Sequence, residues 1–136
     1  MPFVLDASVT MTWCFQDEAS PKTDDLLQEL FVGVGIIPAL WHFEVSHILA
    51  TGIRRKRITT DDARAFSRKL DTLPIEAEKR KAPITGSDPL PLVLQYGLTA
   101  YHAAYLELAK RKSYAIGTLD RERIAAALQE GISLML

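Results

Sequence analysis

The chain has 136 residues, 48% of them hydrophobic and 24% charged, with a formal net charge of -1. This is the size of one domain built on a single core, with the composition of an ordinary globular protein. It excludes a global basic field of the kind that gathers nucleic acid, so any such contact must use local patches. Cys14 is the single cysteine, which excludes an internal disulfide and a cysteine-rich metal site and fits a reducing compartment. The opening "MPFVLDAS" has no basic leader, and no apolar run reaches the length of a membrane span. A cytoplasmic protein with no membrane partner is expected.

In chain order, "PFVLD" is an apolar run without polar alternation, as in a buried parallel strand, and it ends at Asp6. "ASVTMTWCFQ" continues as a first helix. "SPKTDDLLQELF" carries Pro21 near its start and Leu26, Leu27, Leu30 and Phe31 at helical spacing. "VGIIP" reads as a second buried strand closed by Pro38. A long helix follows in "ALWHFEVSHILATGIRRKR", and another in "TTDDARAFSRKLDTL", where Thr59 and Asp62 are placed as a capping box. "PIEAEK" is a weak third strand, and "EAEKRKAPITGSDP" a surface loop. "DPLPLVLQYG" reads as a short helix closed by Gly97, "TAYHAAYLELAKRK" as a full helix, and "YAIGTLD" as a strand ending at Asp120. "RERIAAALQEG" is a last helix and "ISLML" a last strand. Strands alternating with helices imply an α/β fold over residues 1–136, a single domain with a central parallel sheet flanked by helices.

In such a sheet ligands collect beyond the carboxyl ends of the strands, where Asp6 and Asp120 fall. Each also stands at the start of a helix and can serve simply as an N-cap. Glu44 has Trp41 three residues before it and Ile48 four after, so it lies within the apolar stripe of its helix. An ionised carboxylate there needs a cation, either a metal or a buried arginine. His102, at the third position of its helix, also faces the sheet side, where a hydrogen-bonded core histidine is the plain alternative. Asp, Asp and Glu are hard oxygen ligands matched to Mg²⁺ or Mn²⁺, and such a site commonly serves phosphodiester cleavage.

"VLDASV", "PALWHFEVSHIL", "YGLTAYHAAYLELA" and "TLDRERI", in this order and at these separations, resemble a PIN domain, and more narrowly the VapC-type toxins of bacterial toxin–antitoxin pairs. The similarity runs along nearly the whole chain and is weakest between Ile58 and Leu90. The resemblance implies a Mg²⁺- or Mn²⁺-dependent endoribonuclease acting on RNA, a homodimer, held inactive by a small antitoxin. It implies Asp6, Glu44 and Asp120 as catalytic metal ligands, a further acid at Glu122, and support from Ser8 and Thr118. The chain departs from the pattern at His102, where the family has aspartate: one negative charge is lost, and an imidazole, better suited to Mn²⁺ than to Mg²⁺, replaces an oxygen ligand. It departs again at His47, where many relatives carry asparagine.

Two other functions remain open. One is a PIN-like binding module with its site impaired at His102, acting through an RNA or protein partner. The other is a phosphotransfer or hydrolase domain with Asp6 as nucleophile; it lacks a second aspartate two residues on, where Ser8 stands, and leaves Glu44 unexplained. The basic runs Arg54 to Arg57, Lys79 to Lys81 and Lys110 to Lys112 are candidates for phosphate contact, but they also suit solvated helix ends. Trp13 and Trp41 are expected in the core.

Overall fold

The computed structural model describes residues 1–79 and 89–136. Four parallel strands, β1 (Pro2–Leu5), β2 (Val34–Ile37), β3 (Ile75–Ala77) and β4 (Ala115–Gly117), form one sheet in the order β3-β2-β1-β4. The described helices are α1 (Ala7–Thr10), α2 (Pro21–Val32), α3 (Leu40–Arg54), α4 (Thr60–Asp71), α5 (Leu90–Tyr96), α6 (Ala100–Lys112) and α7 (Arg121–Gln129). The α/β architecture read from the alternation of strands and helices is the one observed. Residues 80–88 of the loop expected from Glu76 to Pro89 lie outside the described residues, and with them Arg80 and Lys81 of one basic run and the Asp88 start of the α5 segment; Glu76 and Ala77 belong to β3 instead.

The order of the strands places the site. The chain builds β1, β2 and β3 outward on one side, then returns to lay β4 against the other flank of β1, with Leu5 beside Gly117. The direction of winding therefore reverses between β1 and β4, and at such a reversal the flanking connections commonly part and open a crevice at the carboxyl edge. Asp6 and Thr118 are the first residues beyond those two strands. The backbone N–H of Asp6 donates to the Gly117 carbonyl at 3.0 Å, fixing the two chain ends side by side.

Phe3, Val4 and Leu5 of β1 are fully buried, as the unbroken apolar run requires, and α6 covers them with Ala103, Tyr105, Leu106, Leu108 and Ala109. Trp13 and Trp41 are core residues, their indole N–H groups donating to the Thr23 carbonyl and to Thr10 Oγ1. Capping boxes start α2 at Ser20 and α4 at Thr59, the latter with Asp62 as the spacing anticipated.

Three elements differ from the sequence reading. The strand expected to end at Asp120 stops at Gly117, three residues short of it. The first helix is not continuous: α1 stops at Thr10 and tightens into short 3-10 turns at Met11–Trp13 and Gln16–Glu18. The hydroxyls of Thr10 and Thr12 bond back to the carbonyls of Asp6 and Val9 at 3.3 and 2.6 Å, the local competition that weakens a helix. The last strand is reduced to one bridge, Leu134 beside Ile116. Its backbone bonds to β4 both involve Ile116, and β4 ends at Gly117 because the chain then turns to start α7.

Candidate functional site

Asp6 has no exposed surface, and its carboxylate is surrounded by donors. The Ser8 N–H donates to Oδ1 at 3.1 Å and the Thr118 hydroxyl to Oδ2 at 2.6 Å. Arg123 Nη1 reaches both oxygens, at 2.6 and 2.5 Å. Three donors thus surround the carboxylate, with the Arg123 Nη1 group shared between its two oxygens. Asp6 is thus the N-cap of α1 and one half of a buried ion pair.

Arg123 is held from both ends. Its main-chain N–H donates to Asp120 Oδ1 at 2.9 Å, so Asp120 caps α7. Its guanidinium crosses the crevice to Asp6, with the Tyr105 ring 4.9 Å away. The Glu44 carboxylate lies 4.0 Å from Nη2, and only 5% of the Arg123 side chain is exposed. Thr118 ties the strand ends together, donating to Asp6 while its hydroxyl oxygen accepts the Asp120 N–H at 3.1 Å. Ser8 Oγ accepts the Leu119 N–H at 3.0 Å. The two small hydroxyl residues thus brace the β1 and β4 ends.

Glu44 projects from α3 toward the same crevice with 27% of its side chain exposed. Burial pushes its carboxyl upward, and the nearby Arg123 and Tyr105 only partly oppose this. Burial, reinforced by the charges of Asp6 and Glu44, also pushes the Tyr105 phenol strongly up, so that it stays protonated. The Tyr105 hydroxyl lies near enough to Glu44 to act on it as a hydrogen-bond donor, holding its carboxyl down against the larger push of burial, although the pair falls outside strict hydrogen-bond geometry. Among the described residues, the buried side-chain atoms without a hydrogen-bond partner are Glu44 Oε1, His102 Nδ1, Tyr105 Oη and Arg123 Nε. All four residues neighbour Asp6 or Glu44. Buried polar groups are nearly always satisfied, so this concentration marks a place where something else supplies partners.

The structure therefore brings Asp6, Glu44, His102, Thr118, Asp120 and Ser8 to one edge of the sheet. Glu122 and His47 are exposed, on α7 and α3. The residues expected to hold Mg²⁺ or Mn²⁺ do not fit that ion as they stand. Among the described residues no three His, Cys, Asp or Glu side chains form a group able to hold a metal. Both Asp6 oxygens are already engaged by donors, one of them a buried guanidinium. The plainer alternatives for the acids are the arrangement seen: both aspartates are N-caps, and an arginine accompanies Glu44. His102 is not the hydrogen-bonded core residue of its plain reading, since its Nδ1 has no partner. An Asp6 nucleophile is disfavoured by its complete burial and engagement.

Sequence reasoning missed Arg123 and Tyr105. The signal for Arg123 was present: Ala126 and Ala127 follow it by three and four residues and are buried, so Arg123 sits in the apolar stripe of α7, as Glu44 does in α3. Three residues of the basic runs are engaged by acids. Arg57 pairs with Asp17 and Glu18 and lies over the Phe15 ring; Lys110 pairs with Glu130, and Arg111 with Glu107 and Glu78.

The sequence matches no protein-family model and no curated protein. Among solved structures, the chain is similar to PAE2754 from Pyrobaculum aerophilum, with a TM-score of 0.68 and 20% identity over 93% of this chain and 79% of that one. It is also similar to a chain of a toxin–antitoxin complex from Klebsiella pneumoniae, with a TM-score of 0.60 and 11% identity over 90% of each. These likenesses show that the parallel α/β fold is shared with both.

Proposed function

We propose that this chain is a PIN-like domain of the toxin type, the active half of a toxin–antitoxin pair, and that its carboxyl-edge crevice acts on RNA phosphodiesters as an endoribonuclease. One observation carries the reading: the unpartnered buried polar atoms of the described residues belong to four side chains gathered at the winding reversal of the sheet. The resemblance of the four motifs to PIN domains and the fold shared with a toxin–antitoxin chain support it.

In this reading the chain's own residues supply the chemistry. Arg123 faces the charge of the phosphate. Glu44, with a free carboxylate oxygen, takes the proton of the attacking water. Tyr105 and His102 line the approach. The Mg²⁺ or Mn²⁺ implied by the resemblance is given no step, because the Arg123 guanidinium already occupies the Asp6 carboxylate. The small antitoxin is the second proposed partner.

A second reading, a PIN-like module that binds RNA or protein without cutting, is favoured by the Asp6–Arg123 pair and by His102 standing where the family has a carboxylate. Labelled RNA of mixed sequence distinguishes the two. Cleavage that falls about a hundredfold or more in Glu44→Gln, with binding retained, supports the nuclease. Binding without cleavage selects the second reading, and neither binding nor cleavage removes both.

A further inference from the structure

We infer that the cation of this crevice is the chain's own Arg123 guanidinium, and that the crevice admits a phosphate oxyanion without any divalent metal. The inference rests on reading the crevice as the functional site.

Three features support it. Arg123 is built in rather than draped over the surface. It is 4% exposed, its main chain is anchored by Asp120, and its guanidinium is backed by the Tyr105 ring. Next, the Asp6 oxygens that a metal would use are both already engaged, one cationic group bridging them. Asp6 Oδ1 takes the Ser8 N–H and Arg123, and Oδ2 takes the Thr118 hydroxyl and Arg123. A divalent ion would have to expel a buried guanidinium or sit beside it as a like charge. His102, an imidazole, adds no negative charge to offset that.

The third feature is the chemistry of the leftover atoms. Two of the four, Arg123 Nε and Tyr105 Oη, carry hydrogens. An arginine N–H cannot ligate a metal, but it does donate to a phosphate oxygen. Glu44 Oε1 and His102 Nδ1 complete a mixed set of donors and acceptors, rather than the all-acceptor set of a cation site.

The experiment needs only the purified chain. After exhaustive EDTA treatment, MnCl₂ and MgCl₂ are titrated in by calorimetry, and thermal melts are recorded with and without millimolar Mn²⁺. The expected result is no saturable heat and an unmoved melting temperature. Saturable 1:1 Mn²⁺ binding with a melting rise of about 5 °C or more, abolished by Asp6→Asn, would overturn the inference. Fluorescence anisotropy with labelled RNA supplies the second arm. Affinity in EDTA is expected to equal that in Mg²⁺, and folded Arg123→Met to bind about tenfold or more weakly. RNA binding that requires Mg²⁺ sinks the resident cation and leaves the functional reading standing. Absence of RNA binding in every buffer sinks the functional reading instead, whatever the metal titration shows. If Arg123→Met does not fold, the wild-type titration and the EDTA comparison still decide.

Discussion

At the scale of single residues, the Asp6–Arg123 pair is the largest electrostatic commitment in the described structure, with side-chain exposures of 0% and 5%. Removing one partner leaves the other buried and uncompensated, which costs about 3–5 kcal/mol. Asp6→Asn and Arg123→Met are each expected to lower stability by that amount in urea titrations. The double variant is expected to lose less than the sum, because the second change removes a charge the first has stranded. Equal and additive losses would mean the pair is not coupled. Glu44 gives a pH signature. A carboxyl raised by burial favours the folded state while protonated. Its contribution is complete below the ordinary value of 4.5 and is lost as pH rises through the higher folded-state pKa. Glu44→Gln should therefore match the wild type at pH 4 and be the more stable of the two at pH 8. A constant offset across that range would contradict the assignment.

At the scale of elements, helix ends are set by local chemistry that simple substitutions can test. Thr99 caps α6, its hydroxyl accepting the His102 N–H at 3.2 Å. Thr99→Ala is expected to cost about 1 kcal/mol by chemical denaturation. The end of α3 is a Schellman turn: Lys56 N–H donates to the Ile53 carbonyl at 3.0 Å and Arg57 N–H to the Gly52 carbonyl at 2.8 Å. Lys56 occupies the left-handed region with φ of 60°. Lys56→Gly should relieve that strain and stabilise by about 0.5–1 kcal/mol, less the entropy glycine loses on folding. A loss of stability would show that the Lys56 side chain contributes more than its backbone costs.

At the scale of the whole molecule, assembly is the open property. Phe31 and Val32, adjacent at the end of α2, are 63% and 77% exposed, and Phe43 on α3 is 77% exposed. Large apolar side chains left in water on the early helices suit burial against a second copy, and twofold dimers are the commonest assembly. A homodimer is expected by light scattering at about tens of micromolar, with a monomer for Phe31→Glu combined with Val32→Glu. A wild-type monomer at that concentration would remove the claim. No helix of the described residues is long and apolar enough to cross a membrane.

The sequence alone carried the fold class, because the period of apolar residues in "PFVLD", "VGII" and the α6 segment is a local property of the chain. It also carried the positions of Asp6, Glu44 and Asp120, since a strand end and an apolar helix face can both be read from neighbouring residues. What fills those carboxylates depends on residues far apart in sequence. The Thr118 hydroxyl and the Arg123 guanidinium reach Asp6 across 112 and 117 residues of chain, and only the folding of β4 against β1 places them there. The same holds for the broken first helix and the vestigial last strand, whose ends are decided by hydroxyl back-bonding and by where β4 stops. An acidic cluster in the sequence announces that a cation is needed. Which side chains accompany those acids is decided by tertiary structure, because the donors come from elements that periodicity cannot bring together.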